Sequence, residues 1–188
     1  MSDLPKTPDH RMTRAQFYAW AAQQPRGRYE LEEGKVIAMA PERVRHVRAK
    51  MRTARALEDA IAAAGLSCEA LIDGAAIEIG DHTAYEPDVL VTCGAPVDGD
   101  ALAVPNPVIV VEVASPSSTR GDHVVKFAAY MRAPSIRHYL LLAVETGILV
   151  HHRRAEDGTI QSAILREGPL TLDPPGLTIQ VEQLFPKA

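Results

Sequence analysis

An α/β (α+β) fold, one mixed β-sheet flanked by helices, is what this sequence predicts, and three observations carry it. The run Pro107 to Ala114 is apolar almost throughout and reads as a buried central strand. A long helical periodicity lies before it, at residues 41–64, and a shorter one after it, at 119–131. Further strand-like runs stand on both sides of the two helices.

The elements follow in order. Residues 1–12 read as a flexible extension. Thr13 with Gln16 has the form of a capping box, and Phe17, Trp20 and Ala21 repeat at helical spacing, so a short helix is expected over 13–24. Residues 29–32 and 35–39 flank Glu33-Gly34 as a hairpin, with glycine supplying a positive φ. In the long helix Val44, Val47, Met51, Ala54, Leu57 and Ile61 recur at steps of three and four, and Gly65 is placed to cap it. Strands are expected near 67–71, 75–79, 88–93, 108–114, 138–144, 148–153 and 160–166, separated by turns rich in Gly, Asp and Pro. No internal repeat is visible.

Composition narrows the class. A chain of 188 residues fits a single domain, and 46% apolar with 23% charged residues excludes disordered and collagen-like chains. Aromatics are only 5%, so the expected core is aliphatic. No apolar run approaches the roughly 18 residues that span a bilayer, and residues 1–14 lack the apolar middle of a signal peptide. No membrane association and a cytoplasmic location are the expectation. A net charge of −4 argues against coating nucleic acid through bulk charge, so any such contact must be local. Cys68 and Cys93 have neither CxxC nor zinc-ribbon spacing and are read as small core residues, not as a disulfide or a zinc site.

The chemistry centres on Glu112, a carboxylate inside the apolar run Pro107-Val-Ile-Val-Val-Glu-Val-Ala114. Burying it without a partner costs several kcal/mol, so a cation, donors or a ligand should accompany it. Asp88 stands alike, between Glu86-Pro87 and Val89-Leu90-Val91. Two acids entering adjacent strands suit a hard divalent cation such as Mg²⁺ or Mn²⁺, which takes one or two carboxylates and leaves positions for water or phosphate oxygens. The plainer alternative has Asp88 capping a strand and Glu112 pairing with an arginine across the sheet. Arg45, Arg48, Arg52 and Arg55 share one side of the long helix; a solvated face explains them more simply than a phosphate track, because Glu58 and Asp59 follow. No G-x-S-x-G elbow or GxxxxGK[ST] loop is present, and His151 and His152 point to opposite faces of a strand.

Pro87-Asp88, Glu112-Val113-Ala114-Ser115-Pro116-Ser117, the spacing of Asp122, Lys126 and Tyr130, and Tyr29-Glu30-Leu31 with Gly34 and then His46 together resemble the Uma-type restriction-endonuclease family of the PD-(D/E)XK nuclease superfamily. The resemblance covers most of the chain. It implies a restriction-endonuclease-like fold and metal-dependent DNA cleavage, with Asp88 and Glu112 as Mg²⁺ or Mn²⁺ ligands. The usual E-x-K would put lysine at 114, where Ala114 stands. Lys126 is the nearest substitute, reaching back from the following helix as the resemblance implies for sequences with a migrated lysine. Its plainer role is an i, i+4 pair with Asp122.

Glu30 is a candidate third acid or an exposed hairpin charge. Asp122, His46 and Tyr130 are supporting candidates whose plainer roles are helix initiation, core packing and core filling. Cutting both strands of a duplex calls for two sites, so a homodimer is expected. The rivals are a catalytically inactive nuclease-fold module for binding or dimerisation, motivated by Ala114 and the acidic charge, and a hydrolase of small phosphorylated molecules.

Overall fold

The structure, a computed structural model, describes residues 7–114 and 120–186. Its elements in order are α1 (Arg14–Ala21), β1 (Tyr29–Glu32), β2 (Lys35–Ala38), α2 (Val44–Ala64), β3 (Cys68–Ile72), β4 (Ile77–Glu78), β5 (Ala84–Tyr85) and β6 (Val89–Cys93). There follow β7 (Ile109–Val113), α3 (Arg120–Tyr130), β8 (His138–Ala143), β9 (Ile148–Arg154), β10 (Ile160–Leu165), β11 (Pro169–Leu172), β12 (Leu177–Gln180) and a 3-10 turn (Val181–Gln183). The main sheet runs β10-β9-β8-β7-β6-β3, and a smaller one runs β2-β1-β5-β4. Only β7 and β8 pair in parallel within the main sheet, with α3 in the crossover between them.

The apolar run at β7 divides by alternation. Ile109, Val111 and Val113 join Val89, Val91, Leu140 and Leu142 against α2 and the β11–β12 hairpin. Val110 points the other way, into a second core with Leu90, Tyr139, Tyr85 and Tyr130 from the small sheet and α3. Glu112 shares the parity of Val110, so its burial on the α3 side follows from the period of two.

The capping box is formed: Thr13 Oγ1 accepts from Gln16 N–H at 3.3 Å and Thr13 N–H donates to Gln16 Oε1 at 2.9 Å. Met12 is already buried, its N–H donating to Gly34 O at 2.8 Å. In the hairpin both Glu33 (φ 46°) and Gly34 (φ 83°) are left-handed, as a two-residue turn matching strand twist requires. Gly65 closes α2 with φ 63°.

Three expectations are corrected. The apolar stripe of α2 faces inward only in its second half, at Leu57 and Ile61; in the first half Val44, Val47 and Met51 are 65%, 48% and 47% exposed, while His46, Ala49, Lys50 and Thr53 are buried. The first half of α2 lies over acidic side chains and not over the aliphatic core, and buried charge draws polar residues inward. Cys68 and Cys93 form a disulfide, because antiparallel register sets them opposite each other with Cα atoms 3.9 Å apart. Finally, β5, β11 and β12 lie where no strand was expected, and the β11–β12 hairpin completes the cover of one sheet face.

Candidate active site

Asp88 precedes β6, whose Val89 is opposite Val111, so the same antiparallel register carries Asp88 to Glu112. The ladder ends there with a side-chain bond: Val113 N–H donates to Asp88 Oδ2 at 2.6 Å. Glu30 arrives on β1 and is held by the Glu86 N–H, which donates to its Oε1 at 2.9 Å. All three acids are less than a tenth exposed. They line a cleft of about 430 Å³ together with His46, Lys50 and Lys126. A larger cleft, about 970 Å³, lies between Arg14, Pro96 and Arg132 and contains none of these acids. The smaller one concentrates the charge.

Lys126 meets two of these acids. From α3 its Nζ donates to Glu30 Oε1 at 2.9 Å and to Glu112 Oε1 at 3.3 Å, and it lies 5.2 Å from the centroid of the Tyr85 ring. One turn later Tyr130, fully buried, donates its hydroxyl to Glu112 Oε1 at 2.9 Å. Asp122 is exposed in the first turn of α3 and borders the cleft, and Lys126 turns to the two glutamates. Ser115, Pro116 and Ser117 lie outside the described residues.

A second ammonium, absent from the expectations, enters from α2. Lys50 is 3% exposed, and its Nζ contacts Asp88 Oδ1 at 2.6 Å, Asp73 Oδ1 at 3.0 Å and Glu42 Oε1. In sequence it sits one turn after His46, among arginines that read as a solvated face; that spacing from His46 was the available signal. His46 is equally buried, and among the described residues nothing bonds its Nε2. The arginines divide: Arg45 Nη1 pairs with Glu145 at 3.1 Å, Arg52 Nε donates to Gln183 O at 2.9 Å, and Arg48 and Arg55 are exposed.

The electrostatics follow from burial. Desolvation, reinforced by Glu112, raises the Asp88 carboxyl to about 6 although Lys50 and the Val113 N–H pull the other way. Glu30 and Glu112 are likewise raised by desolvation against the pull of Lys126. Burial alone would lower Lys126, but Glu112 and Glu30 outweigh it and hold the ammonium protonated. His46 is lowered by burial and is therefore neutral at pH 7.

A mixed multi-strand sheet flanked by helices is a nuclease-like fold. The chain belongs to the Uma2 family, described as "Putative restriction endonuclease", whose pattern matches residues 14–185. It is 26% identical over 155 residues to the uncharacterized protein slr1290 of Synechocystis sp., covering 82% of this chain and 80% of that one. Among solved structures it is similar to a nuclease described as putative and as belonging to DUF820, from Anabaena variabilis. The TM-score is 0.72 at 14% identity, over 92% of this chain and 97% of the other.

Proposed function

We propose that the protein is a divalent-metal-dependent endonuclease that hydrolyses phosphodiester bonds in DNA, with Asp88 and Glu112 holding Mg²⁺ or Mn²⁺. The observation that carries this reading is the position of Lys126 Nζ, 3.3 Å from Glu112 Oε1 and 2.9 Å from Glu30 Oε1. On this reading α3 supplies the ammonium expected from position 114.

The donor set suits a hard cation. Glu30, Asp88 and Glu112 outnumber the ammonium of Lys126 beside them, and Asp88 stays raised even with Lys50 in contact. Among the described residues, Oε2 of Glu112 and Oε2 of Glu30 accept no hydrogen bond. When bound, a divalent ion supplies Lewis acidity toward a phosphoryl oxygen and a lowered pKa for the attacking water.

The side chains do the rest. Lys126 donates to the oxygen on which negative charge develops. Glu30, desolvated and raised, takes the water proton at Oε2. Tyr130 fixes the rotamer of Glu112, and Val113 N–H fixes that of Asp88.

The test incubates purified protein with supercoiled, linear and branched DNA, and with RNA, in Mg²⁺ or Mn²⁺. Metal-dependent cleavage of DNA is expected, and Asp88→Ala should lower it by at least about a hundred- to a thousandfold. Cleavage that survives this change, or that needs no metal, overturns the reading. Since a duplex has two strands to cut, the working unit is proposed to be a homodimer in a cytoplasmic setting; a monomer by light scattering during double-strand cleavage would refute the dimer.

A further inference from the structure

Three carboxylate oxygens, from Glu42, Asp73 and Asp88, lie within 4.8 Å of one another, the spacing at which a single cation is shared. The centre of that group is already taken. Lys50 Nζ contacts Asp88 Oδ1 at 2.6 Å, Asp73 Oδ1 at 3.0 Å and Glu42 Oε1, one acceptor for each of its three protons. The lysine is 3% exposed and rises from the second turn of α2, with its stem packed and its head turned away from solvent. Behind it, Arg28 Nη2 binds Asp73 Oδ1 at 3.3 Å and Glu86 Oε2 at 2.7 Å, fixing the far wall.

We propose that the Lys50 ammonium is a built-in cation occupying the place where a second divalent ion would bind Asp88, so that the cleft takes one ion and not two. Lys50 is a positioning residue: it orients Asp88 through Oδ1 while Val113 N–H holds Oδ2. A second ion at Asp88 Oδ1 would have to expel a buried ammonium from three ion pairs and then sit beside it, like charge against like. The remaining acids, Glu112 and Glu30, are on the Lys126 side. The count of one rests on the metal site proposed above; the occupation of the other site by Lys50 does not.

Calorimetric and paramagnetic titration of the apo protein with Mn²⁺ tests this. Wild type should bind one ion. Lys50→Ala should bind two, and Lys50→Ala with Asp73→Asn should return to one. Two ions in wild type, or one in a Lys50→Ala protein whose circular dichroism and melting are those of wild type, overturn the proposal. No ion in wild type but one in Lys50→Ala would uphold Lys50 as the resident cation and sink the proposed metal site.

Should Lys50→Ala fail to fold, Asp73→Asn alone decides the matter, since asparagine tolerates the positive φ of 44° at this position. With Asp73 bound to Lys50 and not to metal, Mn²⁺ affinity stays within about twofold of wild type; a loss of about tenfold or more would mark Asp73 as a metal ligand and refute the proposal.

Discussion

The two faces of the main sheet are built from the same strands and have opposite characters. Toward α2 and the β11–β12 hairpin the strands present Val89, Val91, Ile109, Val111, Leu140 and Leu142, an aliphatic surface interrupted by the His138–His151 pair. Toward α3 they present Val110, Tyr139 and Glu112, the last beside Lys126, and Tyr85 and Tyr130 pack close by. Alternation lets one strand serve both. β7 packs the aliphatic core through its odd-numbered residues and carries the proposed metal ligand at an even-numbered one, which is why substitutions one residue apart should have unrelated consequences.

The largest expected effects separate the faces outright. Glu112→Ala should reduce DNA cleavage by at least about a hundred- to a thousandfold, with little loss of melting temperature, because an acid raised by burial is itself costly to the fold. Leu140→Ala, on the aliphatic face at 0% exposure, should cost about 2–5 kcal/mol in urea unfolding while the folded fraction cleaves normally. A swap of these phenotypes would erase the distinction.

Acid sharpens the contrast. Burial lowers both His138 and His151 to about 4, so each stays neutral in the fold while the unfolded chain takes up protons below about 6.5. Their contribution is fully present above pH 6.5 and is lost as pH falls toward 4. Asp88, raised to about 6, acts in the opposite sense: the folded protein binds its proton first, which favours folding as pH falls from about 6 to 4. Glu30 and Glu112, also raised, act in the same sense as Asp88, so the expectation concerns the difference: between pH 7 and 4.5 the urea midpoint of Asp88→Asn should drop relative to that of wild type. A variant midpoint that holds or gains on wild type over that range would refute this opposition.

The smallest effect tests support at a distance. Tyr130→Phe removes the 2.9 Å bond to Glu112 Oε1 and leaves the ring packed against Tyr85. The expected loss is about tenfold in kcat with KM for DNA unchanged. A loss as large as that of Glu112→Ala would place the hydroxyl in the chemistry itself.

Much of this contrast was legible in the sequence, unevenly. Glu112 and Asp88 were singled out as acids at apolar strands, and Glu30, Lys126 and Tyr130 through the resemblance to the Uma-type family; the structure gathers all five. An i, i+4 pair with Asp122 was the plainer alternative for Lys126; the lysine instead bonds two buried glutamates, where the lower local dielectric strengthens the attraction. Lys50 was hidden because apolar periodicity reports a helix face turned toward hydrocarbon; over carboxylates the inward face is polar, and Val44, Val47 and Met51 trace the wrong side. The Cys68–Cys93 bond was hidden too, since it depends on the register of β3 with β6, a fact of pairing and not of spacing.

That register has a mechanical consequence for the border of the sheet. β3 is an edge strand, and edge strands ordinarily fray from a free end inward. This one has no free end. At its start the Cys68–Cys93 bond rivets it to β6, and just past its finish Lys50 grips Asp73 and Asp88 together, where Asp73 N–H also donates to Asp88 O at 3.4 Å. Opening the border from one side requires a reductant and from the other the removal of a buried ammonium. Its amides should therefore exchange with solvent as a block, when the whole ladder opens, and not one after another.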